Sequence, residues 1–113
     1  MAEPIARRIY RPEFLYLTTT GRKTGAPHEI EIWYVAHEGR YYLIAEHRER
    51  THWVQNILHN PQISFWVEGV TYEGSGRAID PLAEPALTAE VAALMNAKYQ
   101  WSDGLIVELS PGT

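Results

Sequence analysis

The chain has 113 residues, a formal net charge of −4 and no cysteine. That length points to one domain over residues 1–113, whose modest core a second copy would extend. Mild acidity argues against a general nucleic-acid binder, and the missing cysteines exclude disulfides and thiolate metal sites and suit a reducing cytoplasm. No apolar run approaches the roughly 20 residues that cross a bilayer. The N-terminal stretch MAEPIARRIYRPEF lacks the apolar core of a signal peptide.

In chain order, Phe14–Thr20 is aromatic and β-branched and reads as a strand. GRKTGAP follows as a turn, punctuated by Gly21, Gly25 and Pro27. His28–His37 alternates as a second strand, with Ile30, Ile32 and Tyr34 on one face and Glu29, Glu31, Trp33 and Val35 on the other. Glu38-Gly39 turns the chain into a return strand over Arg40–Glu46. His47–Thr51 is a polar loop, and Thr51 is placed to cap a helix over His52–His59 that Asn60-Pro61 ends. Strands are expected over Gln62–Glu68 and Thr71–Ile79. The glycines of the second suggest a bulge or a close backbone approach. An Ala-rich helix over Ala86–Tyr99 and an apolar, central strand over Leu105–Leu109 complete the chain. The order β-β-β-α-β-β-α-β, built on hairpins, predicts a mainly-β fold with two helices: an antiparallel sheet curling into a small, partly open barrel.

The GRKTG turn raises the first functional question, because an acidic chain here sets two cations side by side. Turn amides, the planar fork of Arg22, the point charge of Lys23 and the hydroxyl of Thr24 can together hold an anion. An ordinary solvated turn has the same composition. The five histidines show no metal-ligand spacing such as H-x-x-x-H, so no metal site is expected. No G-x-S-x-G motif or cysteine nucleophile is present, which argues against the usual hydrolases. Asn56 stands in mid-helix, where asparagine has poor propensity, and its amide has two readings: a bond to backbone across the barrel, or a bond to a ligand.

The segment Leu17–Pro27, LTTTGRKTGAP, followed by a hairpin and then HWVQNILHNP, resembles the deazaflavin-dependent nitroreductase family. Members look like relatives of the pyridoxamine-phosphate-oxidase-like, FMN-binding split β-barrels. The family pattern, L-T-T-x-G-R-K-[ST]-G-x-P and then W-x-x-N-L-x-x-N-P, is met at Leu17–Pro27 and at Trp53, Asn56, Asn60 and Pro61, with Ile57 at the usual Leu. The resemblance implies a split antiparallel β-barrel, pairing as a homodimer, and a cytoplasmic oxidoreductase. The reaction implied is hydride transfer from the reduced deazaflavin coenzyme F-420, or from FMN as in wider relatives, to a small acceptor such as a quinone or nitro compound. Carried over, Arg22, Lys23 and Thr24 would hold the cofactor's phosphate and acidic tail. His28, Ile32, Trp33, Ala45 and His47 would flank the ring, and Trp53 and Asn56 would close the site. Tyr99 or His52 would donate to the acceptor oxygen. Glu31 stands where relatives often have proline, and Glu46 where a small residue is usual. A non-catalytic flavin-binding module and a cofactor-free structural dimer are the alternative readings.

Overall fold

The computed structural model describes residues 13–112. The stretch read for a leader therefore lies outside the described residues except for Glu13 and Phe14. Seven strands form one antiparallel sheet: β1 (Phe14–Thr20), β2 (Pro27–Trp33), β3 (Val35–His37), β4 (Arg40–Ala45), β5 (Gln62–Val67), β6 (Val70–Ala78) and β7 (Leu105–Pro111). Helix α1 (His52–His59) lies between β4 and β5, and α2 (Pro85–Tyr99) between β6 and β7. The sheet order is β2-β1-β5-β6-β7-β4-β3. This is the mainly-β, two-helix architecture expected, curled into a half-barrel.

The expected strand over His28–His37 is two strands. Tyr34 separates β2 from β3, and the strict alternation fails there because Tyr34 and Val35 are both buried. The cause is long-range. The Tyr34 amide donates to Tyr99 Oη (3.0 Å), its carbonyl accepts from Lys98 Nζ (2.9 Å), and its own hydroxyl donates to Glu68 (2.8 Å). The two edge strands of the sheet are thus consecutive in the chain, joined at one corner that the end of α2 clamps.

Two apolar layers hold the sheet. Leu15, Leu17, Leu43, Phe65, Val107 and Leu109 pack inside the curl with Val54 and Ile57 of α1. Ile44 and Ile106 point to the opposite face, against Val91 and Met95 of α2. β7 contributes to both layers, and the strand sits between β6 and β4, which is why every residue of LIVEL is buried, Glu108 included. Leu58, one turn after Val54 on α1, is 59% exposed. Gly74 meets the expectation of a close backbone approach, since a Cβ there would collide with the Ser110 carbonyl of β7. Thr51 occupies the N-cap position of α1, but its side chain makes no capping bond.

The outer face carries a polar network. Buried Glu108 accepts from Tyr42 Oη (2.8 Å) and Arg77 Nε (2.8 Å), and Arg77 continues as a fork onto Glu84 at the start of α2 (2.7 and 3.0 Å). Burial, and then the bond to Glu108, push the Tyr42 phenol up to about 12, and burial with a bond to Tyr72 does the same to Tyr41. An unfolded tyrosine ionises near its ordinary value of about 10. Stability from these two phenols is therefore complete below pH ~10 and is lost as pH rises towards 12, because the unfolded chain releases its protons first. In a titration followed by tyrosinate absorbance, two tyrosines are expected to ionise late. Chemical unfolding over the same pH range should show stability falling; a flat profile there would contradict this assignment.

Candidate active site

The GRKTG turn closes on itself. The Gly21 amide donates to the Ala26 carbonyl (2.7 Å), Gly25 to Gly21 (2.8 Å), and Ala26 to Thr24 Oγ1 (3.2 Å). A Cβ at Gly21 would lie 2.7 Å from Nε2 of His28, so the imidazole would have to shift to admit one. The amides of Gly21, Gly25 and Ala26 are therefore already bonded. Anion binding here rests on side chains more than on the backbone cradle that the two glycines suggest.

Asn56 fixes the first of those side chains. It is 4% exposed, and its Oδ1 accepts from both the amide (3.2 Å) and Nη1 (2.9 Å) of Arg22. Its Nδ2 donates to Thr19 Oγ1 (3.0 Å), so one buried amide ties α1 to the end of β1 and to the turn. This explains a residue of poor helix propensity in mid-helix. Of its two readings, the structure shows the bond to backbone across the barrel, with the guanidinium added. His52, one turn earlier on α1, stands with Nδ1 3.2 Å from Arg22 Nη2. Among the described residues neither Arg22 nor Lys23 has a carboxylate partner. Two cations face one chamber, in whose lining Glu29 is the one carboxylate among the described residues.

That chamber, about 500 Å³, is lined by Arg22, Lys23, Thr24, His28, His52 and Asn56, with Trp53 at its edge. Trp53 also lines a second chamber of about 570 Å³. There the walls are Ile32, Trp33, Ala45, His47, Trp53 and Trp101, with Phe14 and Met95 beside them. The ten residues expected to bind a cofactor thus fall into two chambers that meet at Trp53. One is cationic, the other aromatic.

The two residues expected to serve the acceptor are placed differently. The Tyr99 hydroxyl lies 2.6 Å from the Glu13 carbonyl and 2.7 Å from that of Tyr34, and it also accepts the Tyr34 amide. Its one proton is committed to backbone, and burial pushes its phenol up. Its ring instead stacks on Trp33 (4.4 Å, 5° between planes), while Trp101 meets Trp33 edge-on at 6.2 Å. Tyr99 stiffens the aromatic wall from behind. His52 stands in the cationic chamber and is absent from the lining of the aromatic one.

Sequence reasoning passed over the second role of Thr51. Its Oγ1 is buried and has no hydrogen-bond partner, the sole such side-chain atom among the described residues, and Thr51 lines the aromatic chamber. A buried hydroxyl without a partner costs about 1–3 kcal/mol, which a ligand atom would recover. The signal in the sequence was an N-cap threonine, whose usual partner is the helix backbone. A flat heteroaromatic group with polar edges and an anionic tail fits this layout: carbonyls beside Thr51, rings among the tryptophans, charge at Arg22 and Lys23. No group of three or more His, Asp or Glu residues able to hold a metal occurs among the described residues.

Comparison with known proteins agrees with this chemistry. Among solved structures, the chain resembles a conserved hypothetical protein of Mycobacterium tuberculosis (TM-score 0.74, 18% identity, covering 100% of this chain and 81% of that one). It also resembles a heme-storage protein from Vibrio cholerae (TM-score 0.72, 18% identity, 91% and 84%). A third likeness is an F420-H2 dependent reductase (TM-score 0.62, 20% identity, 90% and 96%). At these identities the likenesses show the fold, which is the split β-barrel anticipated. No curated protein matches the sequence. The family described as F420H(2)-dependent quinone reductase matches residues 2–104 of the 113. Because that match includes both the GRKTG turn and the Trp53–Asn56 helix that build the two chambers, the chain belongs to the F420H(2)-dependent quinone reductase family, a family of deazaflavin-dependent oxidoreductases.

Proposed function

We propose that this protein binds the reduced deazaflavin coenzyme F-420 across the two chambers and reduces a small quinone by two electrons. The observation that carries the reading is the pair of cations, Arg22 and Lys23, without a carboxylate partner among the described residues and opening towards an aromatic chamber. When bound, the coenzyme supplies a hydride; the acceptor takes it with one proton and leaves as the hydroquinone. This chain binds and orients. Asn56 holds Arg22 in place for the anionic tail, with Lys23 and the Thr24 hydroxyl beside it. Thr51 Oγ1 donates to a carbonyl in the aromatic chamber. Trp33, backed by Tyr99, gives the rings a flat wall and keeps water away. No protein nucleophile is needed, in keeping with its absence from the sequence.

FMN, the cofactor of wider split-barrel relatives, is the alternative occupant. Pairing of two copies and a cytoplasmic site of action belong to the same proposal. Among the described residues no helix is long and apolar enough to cross a membrane.

The test is a titration of the purified protein with the deazaflavin coenzyme and, in parallel, with FMN, following tryptophan fluorescence. Trp33, Trp53 and Trp101 line the aromatic chamber, so a bound ring should quench strongly. Saturable quenching by the deazaflavin, followed by many turnovers of quinone per protein, is the expected result and eliminates a purely storing or sensing role. Preference for FMN would overturn the cofactor assignment, and binding of neither would overturn the function.

A further inference from the structure

The two chambers differ in sign as well as in chemistry. The chamber at the turn holds Arg22 and Lys23 against one carboxylate, Glu29. Among the described residues the aromatic chamber has no lysine or arginine in its lining, but it carries Glu31 from β2 and Glu46 from just after β4. Neither carboxylate is neutralised by a cation among the described residues. Glu31 accepts from the Tyr16 hydroxyl (2.7 Å), a neutral donor that fixes the carboxylate and leaves its charge intact. Arg48 is the cation nearest in sequence to Glu46, and it pairs with Asp103 instead (3.2 Å). The groove is therefore polarised along its length, positive at the turn and negative where the acceptor would lie, with Trp53 at the junction.

We infer that Glu31 and Glu46 select the acceptor by charge: this site takes flat aromatic acceptors that are neutral or cationic, and rejects those bearing a carboxylate, sulfonate or phosphate. The inference rests on the proposed function: an acceptor that takes a hydride from a ring held in the aromatic chamber must stack against that ring, beside Glu31 and Glu46. The physical basis is like-charge repulsion. Two exposed carboxylates of like sign at one chamber repel an anion that enters it, and the repulsion is strongest at low salt. The same polarity orients a molecule that is anionic at one end, drawing that end towards Arg22 and Lys23. Neutral acceptors feel little of this, so their affinity follows from stacking on the tryptophans.

The test needs no coenzyme. Three naphthoquinones of matched ring size, one neutral, one sulfonated and one bearing a trimethylammonium group, are titrated into the protein while tryptophan quenching is followed. The sulfonated quinone is expected to bind about tenfold more weakly than the neutral one at low salt, and the cationic one more tightly. In Glu31→Gln/Glu46→Gln the spread should contract to about threefold or less. High salt should contract it in the wild-type protein too, because the screening length falls to about 3 Å at 1 M. That salt arm needs no variant to fold. Equal or tighter binding of the sulfonated quinone, a spread indifferent to both salt and the Gln substitutions, or no quenching by any of the three would overturn the inference. If the charge order holds while the deazaflavin coenzyme fails to bind, the selection stands and the proposed function falls; the reverse outcome separates them the other way.

Discussion

Replacing both Arg22 and Lys23 by alanine is expected to weaken coenzyme binding by roughly 100-fold while leaving thermal stability nearly unchanged. Each cation makes a charge-assisted contact of about 1.5 kcal/mol at a half-exposed site, and about 1.4 kcal/mol is a factor of ten in affinity. Stability is spared because the Arg22 amide still donates to Asn56 after the side chain is cut, so the buried Oδ1 keeps a partner. Asn56→Asp is the sharper companion. A carboxylate at this position would still accept from Arg22, and the Thr19 hydroxyl can donate to it, yet it cancels the positive field in place. Binding should then drop by about tenfold with the turn's geometry kept. Isothermal titration of the coenzyme against both variants, beside their melting curves, decides the matter. Unchanged affinity in the double variant would remove the anion-binding role from the turn.

Arg77→Ala is expected to be the most destabilising substitution in the polar network on the outer face. It strips Glu108, 5% exposed, of its guanidinium partner, leaving Tyr42 and a distant Arg40 Nε at 4.0 Å. Leaving a buried carboxylate uncompensated costs about 3–5 kcal/mol. At the low end of that range the melting temperature should fall by roughly 12 °C or more for a domain of this size. A triple variant, Tyr42→Phe with Arg77→Met and Glu108→Leu, removes every partner together and should recover most of the loss, since an apolar replacement of a buried network is commonly neutral or better. Urea unfolding measures both. A stable Arg77→Ala protein would mean that Arg40 swings in to take over.

Much of this molecule was legible in local pattern. β1 and α1 have the bounds that residue type and capping signals indicate, and the tight turn between β3 and β4 sits at Glu38-Gly39 as expected. The cationic chamber was equally visible, because a short motif places Arg22 and Lys23 in a turn and Asn56 one turn into the helix that opens at His52. What local pattern did not show is governed by partners far away in the chain. The break at Tyr34 depends on Lys98 and Tyr99, more than 60 residues later, as the bonds between them record. Tyr99 was read as a donor to substrate for the same reason: its backbone acceptors are invisible without the fold. Thr51 occupies the cap position, but burial in the chamber wall and not the helix end determines what its hydroxyl can bond. The Tyr42–Glu108–Arg77–Glu84 chain crosses three strands and a helix start, and no spacing rule connects those positions.

The place of β7 in the sheet has a consequence for how this protein is made. The last strand in sequence is inserted between β6 and β4, so every earlier strand can form its hairpin while the sheet still lacks its middle. During synthesis the nascent chain therefore shows two open strand edges, those of β4 and β6, until residues 105–111 have left the ribosome. Exposed edges of this kind are templates for pairing with other chains. Ribosome stalling, or a premature stop anywhere after β6, would release a species that has its cationic turn and most of its core but is prone to aggregate.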